Sequence, residues 1–231
     1  MPRTARIAPG GFVFHVLNRA NARAEIFRGP PDYASFERAL VEVYQHLPMR
    51  ILAYCIMPNH WHLVLWPRGD GDLGRFLQRL TTTHVRRWHL AHGSVGWGHL
   101  YQGTYKSFPI QRDAHFLTVC RYVERNALRG RLVRRAENWR WCSLWARGHP
   151  QARQEKPPLS PWPVELPGDW LELVNQSLTA AELEAVRLSV NRGRPFGGER
   201  WQRGAARRLG LESTFRPRGR PRKAERPTGL Q

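Results

Sequence analysis

The sequence predicts an α+β fold in which a single antiparallel sheet carries the helices. Three observations predict it. Short segments rich in β-branched and aromatic residues alternate with longer ones whose apolar residues recur at helical spacing. Two of the short segments are separated only by Pro58-Asn59, a turn signal that marks a hairpin. The resulting order, β-α-β-β-α-β-α, matches the split-βαβ, ferredoxin-like arrangement: an antiparallel sheet with helices on one face.

Each element has its own signal. Residues 11–18 (GFVFHVLN) follow Pro9-Gly10 and read as the first strand. Residues 32–47 read as a helix, with Asp32 as N-cap and Pro48 just beyond its end. Residues 49–57 (MRILAYCIM) and 60–66 (HWHLVLW) read as the paired second and third strands. Residues 72–92 read as a long amphipathic helix with a basic face, followed by a glycine-rich connection. Residues 99–110 (HLYQGTYKSFPI) read as a fourth strand bent at Gly103. Residues 113–128 read as a helix capped by Asp113 and stopped near Gly130. Together these make a domain over residues 1–148. Residues 149–178 are proline-rich and read as a linker or surface meander. Residues 179–192 read as one more helix, opening a basic extension that runs to residue 231, with a polar, proline-rich end expected to be disordered when free.

Composition narrows the partners. The chain has 231 residues and a formal net charge of +19, and 34 of its 37 basic residues are arginine. Such a balance points to a polyanion, and the planar arginine fork suits phosphate and guanine edges. A ribosome-associated or merely basic soluble protein is the plain alternative. Three cysteines with no paired spacing argue against a disulfide scaffold and a zinc finger, and fit a reducing cytosol. No apolar run is long enough for a signal peptide or a membrane span, so a cytoplasmic, nucleoid-associated location is expected.

Two constellations carry chemistry. In His60-Trp61-His62 the imidazoles sit at i and i+2 on a strand, so they share a face and can converge on one divalent cation. Trp61 then points into the layer behind. In CRYVERN, Tyr122 and Asn126 at i and i+4 share a helix face. Each alone has an ordinary reading: histidines on a half-exposed strand, and a tyrosine at the margin of a core helix. Together they offer two imidazole ligands, an amide oxygen as a third, and a phenol able to attack phosphorus. A phosphotyrosine link retains the energy of the broken bond, so a strand can be rejoined without ATP. Few acids flank the site; Glu124 and Asp113 are the nearest candidates.

YCIMPNHWHLVLWP at 54–67, YQGTYKSFPI at 101–110 and CRYVERNALRGRLV at 120–133 resemble the REP-associated tyrosine transposases, in the single-tyrosine branch of the HUH endonucleases. The resemblance covers about residues 8–147, and more loosely NRGRPFG at 191–197 and the basic tail. It implies a ferredoxin-like palm, Mg²⁺ or Mn²⁺ on His60 and His62 with help from Asn126, and Tyr122 forming a 5′-phosphotyrosine on single-stranded DNA at repetitive extragenic palindromes. The family's Asn-Pro-x-Arg run stands here as Asn126-Ala127-Leu128-Arg129; the missing proline alters the helix end but no proposed ligand.

For DNA binding, Arg79, Arg86 and Arg87 are candidates on the long helix, interleaved with His84, Trp88 and His89. A solvated charged face is the alternative. Trp139, Trp141 and Trp145 fit a packed cluster better than base stacking. Gln102 and Lys106 can face the strand being cut. Arg218 and Arg220, in RPRGRPRK, resemble an AT-hook core, with a nonspecific basic tail as the alternative. On either view, deleting residues 216–231 is expected to weaken DNA binding and flatten its salt dependence. The expected activity is metal-dependent nicking and rejoining of hairpin-forming single-stranded DNA, by a monomer or homodimer. The rivals are a replication initiator or relaxase, and a catalytically silent DNA- or RNA-binding regulator on the same fold.

Overall fold

The computed structural model describes residues 8–216. Four strands, β1 (Val13–Arg19), β2 (Arg50–Met57), β3 (His60–Trp66) and β4 (Lys106–Ile110), form one antiparallel sheet in the order β2-β3-β1-β4. Helix α1 (Pro30–His46) connects β1 to β2, and α2 (Asp72–Ala91) connects β3 to β4. Each crossover steps over one intervening strand, which is the split-βαβ topology.

Alternation along the strands divides the core in two. On β3, Trp61, Leu63 and Leu65 point into a cluster shared with Phe36 and Leu40 of α1 and Phe76 and Leu80 of α2. Val64 belongs to a second cluster on the opposite face, with Val13, Cys55 and Phe108 of the neighbouring strands. Helix α3 (Ala114–Glu124) covers that face through Phe116, Val119, Cys120 and Val123. The fold class is as expected, with one correction: helices do not all lie on one face. The strands are apolar on both sides, so both sides need cover, and the stripe of α3 supplies the second.

Several boundaries also differ from the sequence reading. α1 starts earlier, with Gly29 as N-cap and Pro30 and Pro31 in its first turn. Asp32 instead accepts from the Arg28 backbone and pairs with His92 at 2.8 Å, tying α1 to the end of α2. The fourth strand is short. Before Lys106 the pairing is reduced to one antiparallel bridge, Tyr101 to Ala20, with Gln102 N donating to Arg19 O; the Tyr101 hydroxyl also accepts from Trp61 Nε1 at 2.9 Å and lies 2.7 Å from His84 Nδ1. The Asp113 cap of α3 is present, accepting from His115 N. The helix expected through residue 128 ends at Glu124, and a separate turn, α4 (Asn126–Arg129), follows across Arg125.

The remaining chain packs on this frame. Helices α5 (Ser143–Gly148) and α6 (Trp170–Asn175) converge on Glu124, which is fully buried. Its carboxylate accepts from Ser143 Oγ at 2.5 Å and Trp170 Nε1 at 2.8 Å, with Arg147 at 3.4 Å. Lys156, buried, pairs with buried Glu37 of α1 at 2.7 Å. Three later segments pair with the sheet edges: Cys142 bridges Cys55 and Leu159 bridges Ile51 of β2, and Phe196 bridges Ile110 of β4. Helix α7 (Ala180–Arg192) opens with a Thr179–Glu182 capping box and is followed by α8 (Glu199–Leu209). α8 buries Ala205, Ala206 and Leu209 and exposes Arg200, Arg203, Arg207 and Arg208. Among the described residues no helix is long and apolar enough to cross a membrane.

Candidate active site

His60 and His62 lie at the start of β3, on the face covered by α3. Their rings are 4.9 Å apart, nearly perpendicular. Tyr122 of α3 reaches the same place: its ring centroid is 5.7 Å from that of His62, edge on, and 6.3 Å from that of His15. The imidazole pair and the phenol therefore meet on one face of the sheet, within one chain.

The histidines are prepared in the same way. His62 Nδ1 lies 2.8 Å from His15 Nε2, and His60 Nδ1 lies 2.6 Å from Asn59 Oδ1. Asn59 Oδ1 is an acceptor, so the proton of neutral His60 sits on Nδ1. If His62 likewise donates from Nδ1 to His15, both Nε2 lone pairs are left available. Burial, before any neighbouring charge, keeps these rings neutral. His60 is pushed down to about 3, with Arg19 and Arg129 adding to the effect. His15 is likewise pushed down to about 3 by burial and His60. His62 is held well below the usual histidine range by burial, then by His60, His15, Arg129 and Arg19.

Four buried polar atoms of this cluster have no hydrogen-bond partner among the described residues: His62 Nε2, Asn126 Nδ2, Arg19 Nε and Arg129 Nε. Each such group costs on the order of 1–3 kcal/mol when nothing engages it; the His62 Nε2 lone pair can ligate a cation, and the three N–H groups can donate to phosphate oxygens. The donor set suits a divalent cation that accepts imidazole nitrogen and amide oxygen. Among the described residues no cluster of three or more His, Cys, Asp or Glu side chains could hold a metal. Glu124 is spent on Ser143 and Trp170, and Asp113 on capping α3. Any cation here would therefore rest on His60, His62 and Asn126, with phosphate oxygens supplying the negative charge.

Asn126 joins the group through Arg129. Arg129 Nη2 is 2.5 Å from Asn126 Oδ1 and 3.5 Å from the Tyr122 hydroxyl, and its guanidinium carbon lies 4.8 Å from the Tyr122 ring centroid. Lys106 shares the histidine face. Leu17 is the register partner of both His62 and Lys106, which sets the latter two in one row, roughly 10 Å apart. Gln102 is exposed, its backbone bonded to Arg19 O.

Arg79, Arg86 and Arg87 are not brought to this site. They lie on α2, behind the opposite face, and line an open groove of about 960 Å³ with Arg75, Gln78 and Thr82. Arg79 and Arg86 are exposed, whereas Arg87 pairs with Glu42. Of the aromatics interleaved with them, His89 lines the groove, whereas His84 and Trp88 turn inward. His84 is buried against Phe27, and Trp88 donates to Ile26 O, so neither stacks on a base. Trp141 packs against Tyr33, and Trp139 donates to Ile56 O, as a structural cluster would. Arg218 and Arg220 lie outside the described residues. The sequence reading missed His15, Arg19, Asn59 and Arg129. His15 was within reach, since period-two alternation places it beside His62 once β1 is laid against β3.

The class of protein defined here is a split-βαβ palm that sets paired imidazoles and a phenol on one face of its sheet. The family model described as "Transposase IS200 like" matches residues 11–126, half of the chain, and the chain belongs to that transposase family. Among solved structures, a REP-associated tyrosine transposase bound to a REP hairpin is 20% identical, with a TM-score of 0.52, covering 68% of this chain and 89% of that one. That likeness is one of fold. A proposed transposase from Deinococcus radiodurans R1 is 16% identical, with a TM-score of 0.38, covering 54% of this chain and 95% of that one. Among curated proteins none matches.

Proposed function

We propose that this transposase nicks and rejoins single-stranded DNA at hairpin-forming repetitive palindromes, through a 5′-phosphotyrosine on Tyr122. The observation that carries the reading is the unpartnered, buried Nε2 of His62, on a ring 5.7 Å from that of Tyr122. His60, His62 and Asn126 would hold Mg²⁺ or Mn²⁺. Such a cation, when bound, supplies Lewis-acid polarisation of a non-bridging phosphate oxygen. His15 and Asn59 fix the two imidazole rings. Tyr122 Oη bonds to phosphorus and its proton passes to water. The P–O3′ bond breaks, and the departing 3′ oxygen takes up a proton. The reverse attack by a 3′-hydroxyl restores the diester.

Lys106 and Gln102, at the same end of the sheet, would contact the strand being cut. Arg79 and Arg86, with a smaller share from Arg87, would hold phosphates of the hairpin along α2. Residues 1–148 would form the catalytic domain. Residues 149–178 would strap across it, and residues 179–231, including Arg218 and Arg220, would extend the DNA contact. The His60–His62 pair and Tyr122 meet within one chain, and the protein would act as a monomer or homodimer, in the cytoplasm on nucleoid DNA.

The test is incubation with labelled hairpin oligonucleotides and Mg²⁺ or Mn²⁺, followed by denaturing electrophoresis. A covalent protein–DNA band lost in Tyr122→Phe, with binding retained, is the expected result. Nicks without a covalent band would indicate a hydrolase, and binding with neither would indicate a regulator.

A further inference from the structure

Arg129 touches both the nucleophile and a proposed ligand, though no motif reading gives it a role. Its guanidinium lies over the Tyr122 ring at 4.8 Å, and one nitrogen reaches the phenol oxygen at 3.5 Å and Asn126 Oδ1 at 2.5 Å. No carboxylate pairs with it among the described residues, and its Nε has no partner there. Tyr122 is only 5% exposed, whereas Arg129 is half-buried, so the guanidinium helps roof the phenol.

We propose that Arg129 is a further catalytic residue, which receives the scissile phosphate, stabilises the phenolate, and in the DNA-free protein occupies the amide oxygen that Asn126 would give to a metal. The inference rests on the proposed tyrosine chemistry. Charge gathers on the phosphate oxygens as Tyr122 Oη bonds to phosphorus and the P–O3′ bond breaks. On rejoining, the phenolate is the leaving group. A guanidinium within reach of both oxygens lowers the barrier in each direction. Its planar fork holds its donors in a fixed geometry toward two acceptors, which the compact, rotating ammonium of a lysine reproduces only in part. Toward a metal the same group acts in the opposite sense. It places a positive charge beside the ligands and holds one lone pair of Asn126 Oδ1.

The two effects have opposite signs, and that separates a catalytic role from a structural one. The experiment uses the full chain with Arg129→Ala and Arg129→Lys. One arm measures single-turnover covalent adduct formation on saturating hairpin oligonucleotide with Mn²⁺. The other measures the Mn²⁺ Kd of the DNA-free protein by electron paramagnetic resonance. Arg129→Ala should lower the adduct rate about 10²- to 10³-fold. Arg129→Lys and added guanidinium ion should each restore part of it. The Mn²⁺ Kd should stay the same or tighten. An Arg129→Ala rate within about threefold of the parent, or a parallel loss of Mn²⁺ affinity, would overturn the proposal. A parent chain that forms no adduct at all would overturn the tyrosine chemistry itself.

Discussion

His15 is the most informative residue to perturb, because it acts on the proposed metal only through His62. It is buried, and its Nε2 lies 2.8 Å from His62 Nδ1. In His15→Leu the imidazole of His62 keeps its place on β3 but loses the partner that fixes its tautomer and rotation. Leaving that Nδ1 buried and unpaired costs about 1–3 kcal/mol. Loss of an outer-shell partner typically weakens metal binding about 10- to 100-fold, or roughly 1.4–2.7 kcal/mol. The assay is a Mn²⁺ titration read by the resonance of the free ion, beside a thermal melt to confirm folding. His15→Gln retains an acceptor oxygen and should lose less affinity than His15→Leu. A folded His15→Leu protein that binds Mn²⁺ as tightly as the parent would refute the reasoning. Equal losses in both variants would refute the part that concerns the hydrogen bond.

Other consequences follow from groups away from the cation. Lys156→Met leaves the Glu37 carboxylate buried without its 2.7 Å partner, and should cost about 3–5 kcal/mol of unfolding free energy by urea titration; a change under about 1 kcal/mol would contradict it. Burial holds His15 and His84 at about 3, against an ordinary value of 6.5. Between those values the unfolded chain binds the protons first, so stability should fall as pH drops below about 6.5. The slope should approach about 1.4 kcal/mol per pH unit for each ring, checked by urea midpoints at pH 7.5 and pH 5. Arg79→Ala and Arg86→Ala should each flatten the salt dependence of DNA binding by about 0.7 to 0.9 in log–log slope. Arg87→Ala should do less, since Arg87 is already paired with Glu42. Equal effects from all three would argue against the α2 groove as the contact.

The fold was largely legible because its signals are local. Strand alternation, the Pro58-Asn59 turn and the Asp113 cap act over a few residues, and the sheet order follows from two crossovers. Trp61 was legible for the same reason, since period two fixes which way it points. What escaped depends on neighbours far apart in sequence. His15 becomes part of the site only when β1 lies against β3, 47 residues away. The place of α3 on the second face depends on how much apolar surface both sides of the sheet present, a property of the assembled strands. The stretch before Lys106 resembles a strand because Leu100, Tyr101 and Tyr105 are apolar or aromatic. It pairs with the end of β1 only at Tyr101, and the Tyr101 hydroxyl, held by Trp61 and His84, adds to its order. Asn126 shares its helix face with Tyr122 in sequence, yet the helix breaks at Arg125, and Arg129 joins the two.

The decisive measurement mixes two inactive proteins. His62→Ala lacks an imidazole but keeps Tyr122, and Tyr122→Phe keeps both imidazoles but lacks the nucleophile. With labelled hairpin DNA and Mn²⁺, neither variant alone and no mixture of them should yield the covalent band that the parent chain forms. A mixture that recovers the band would mean that ligands and nucleophile come from different copies, contradicting a site built within one chain.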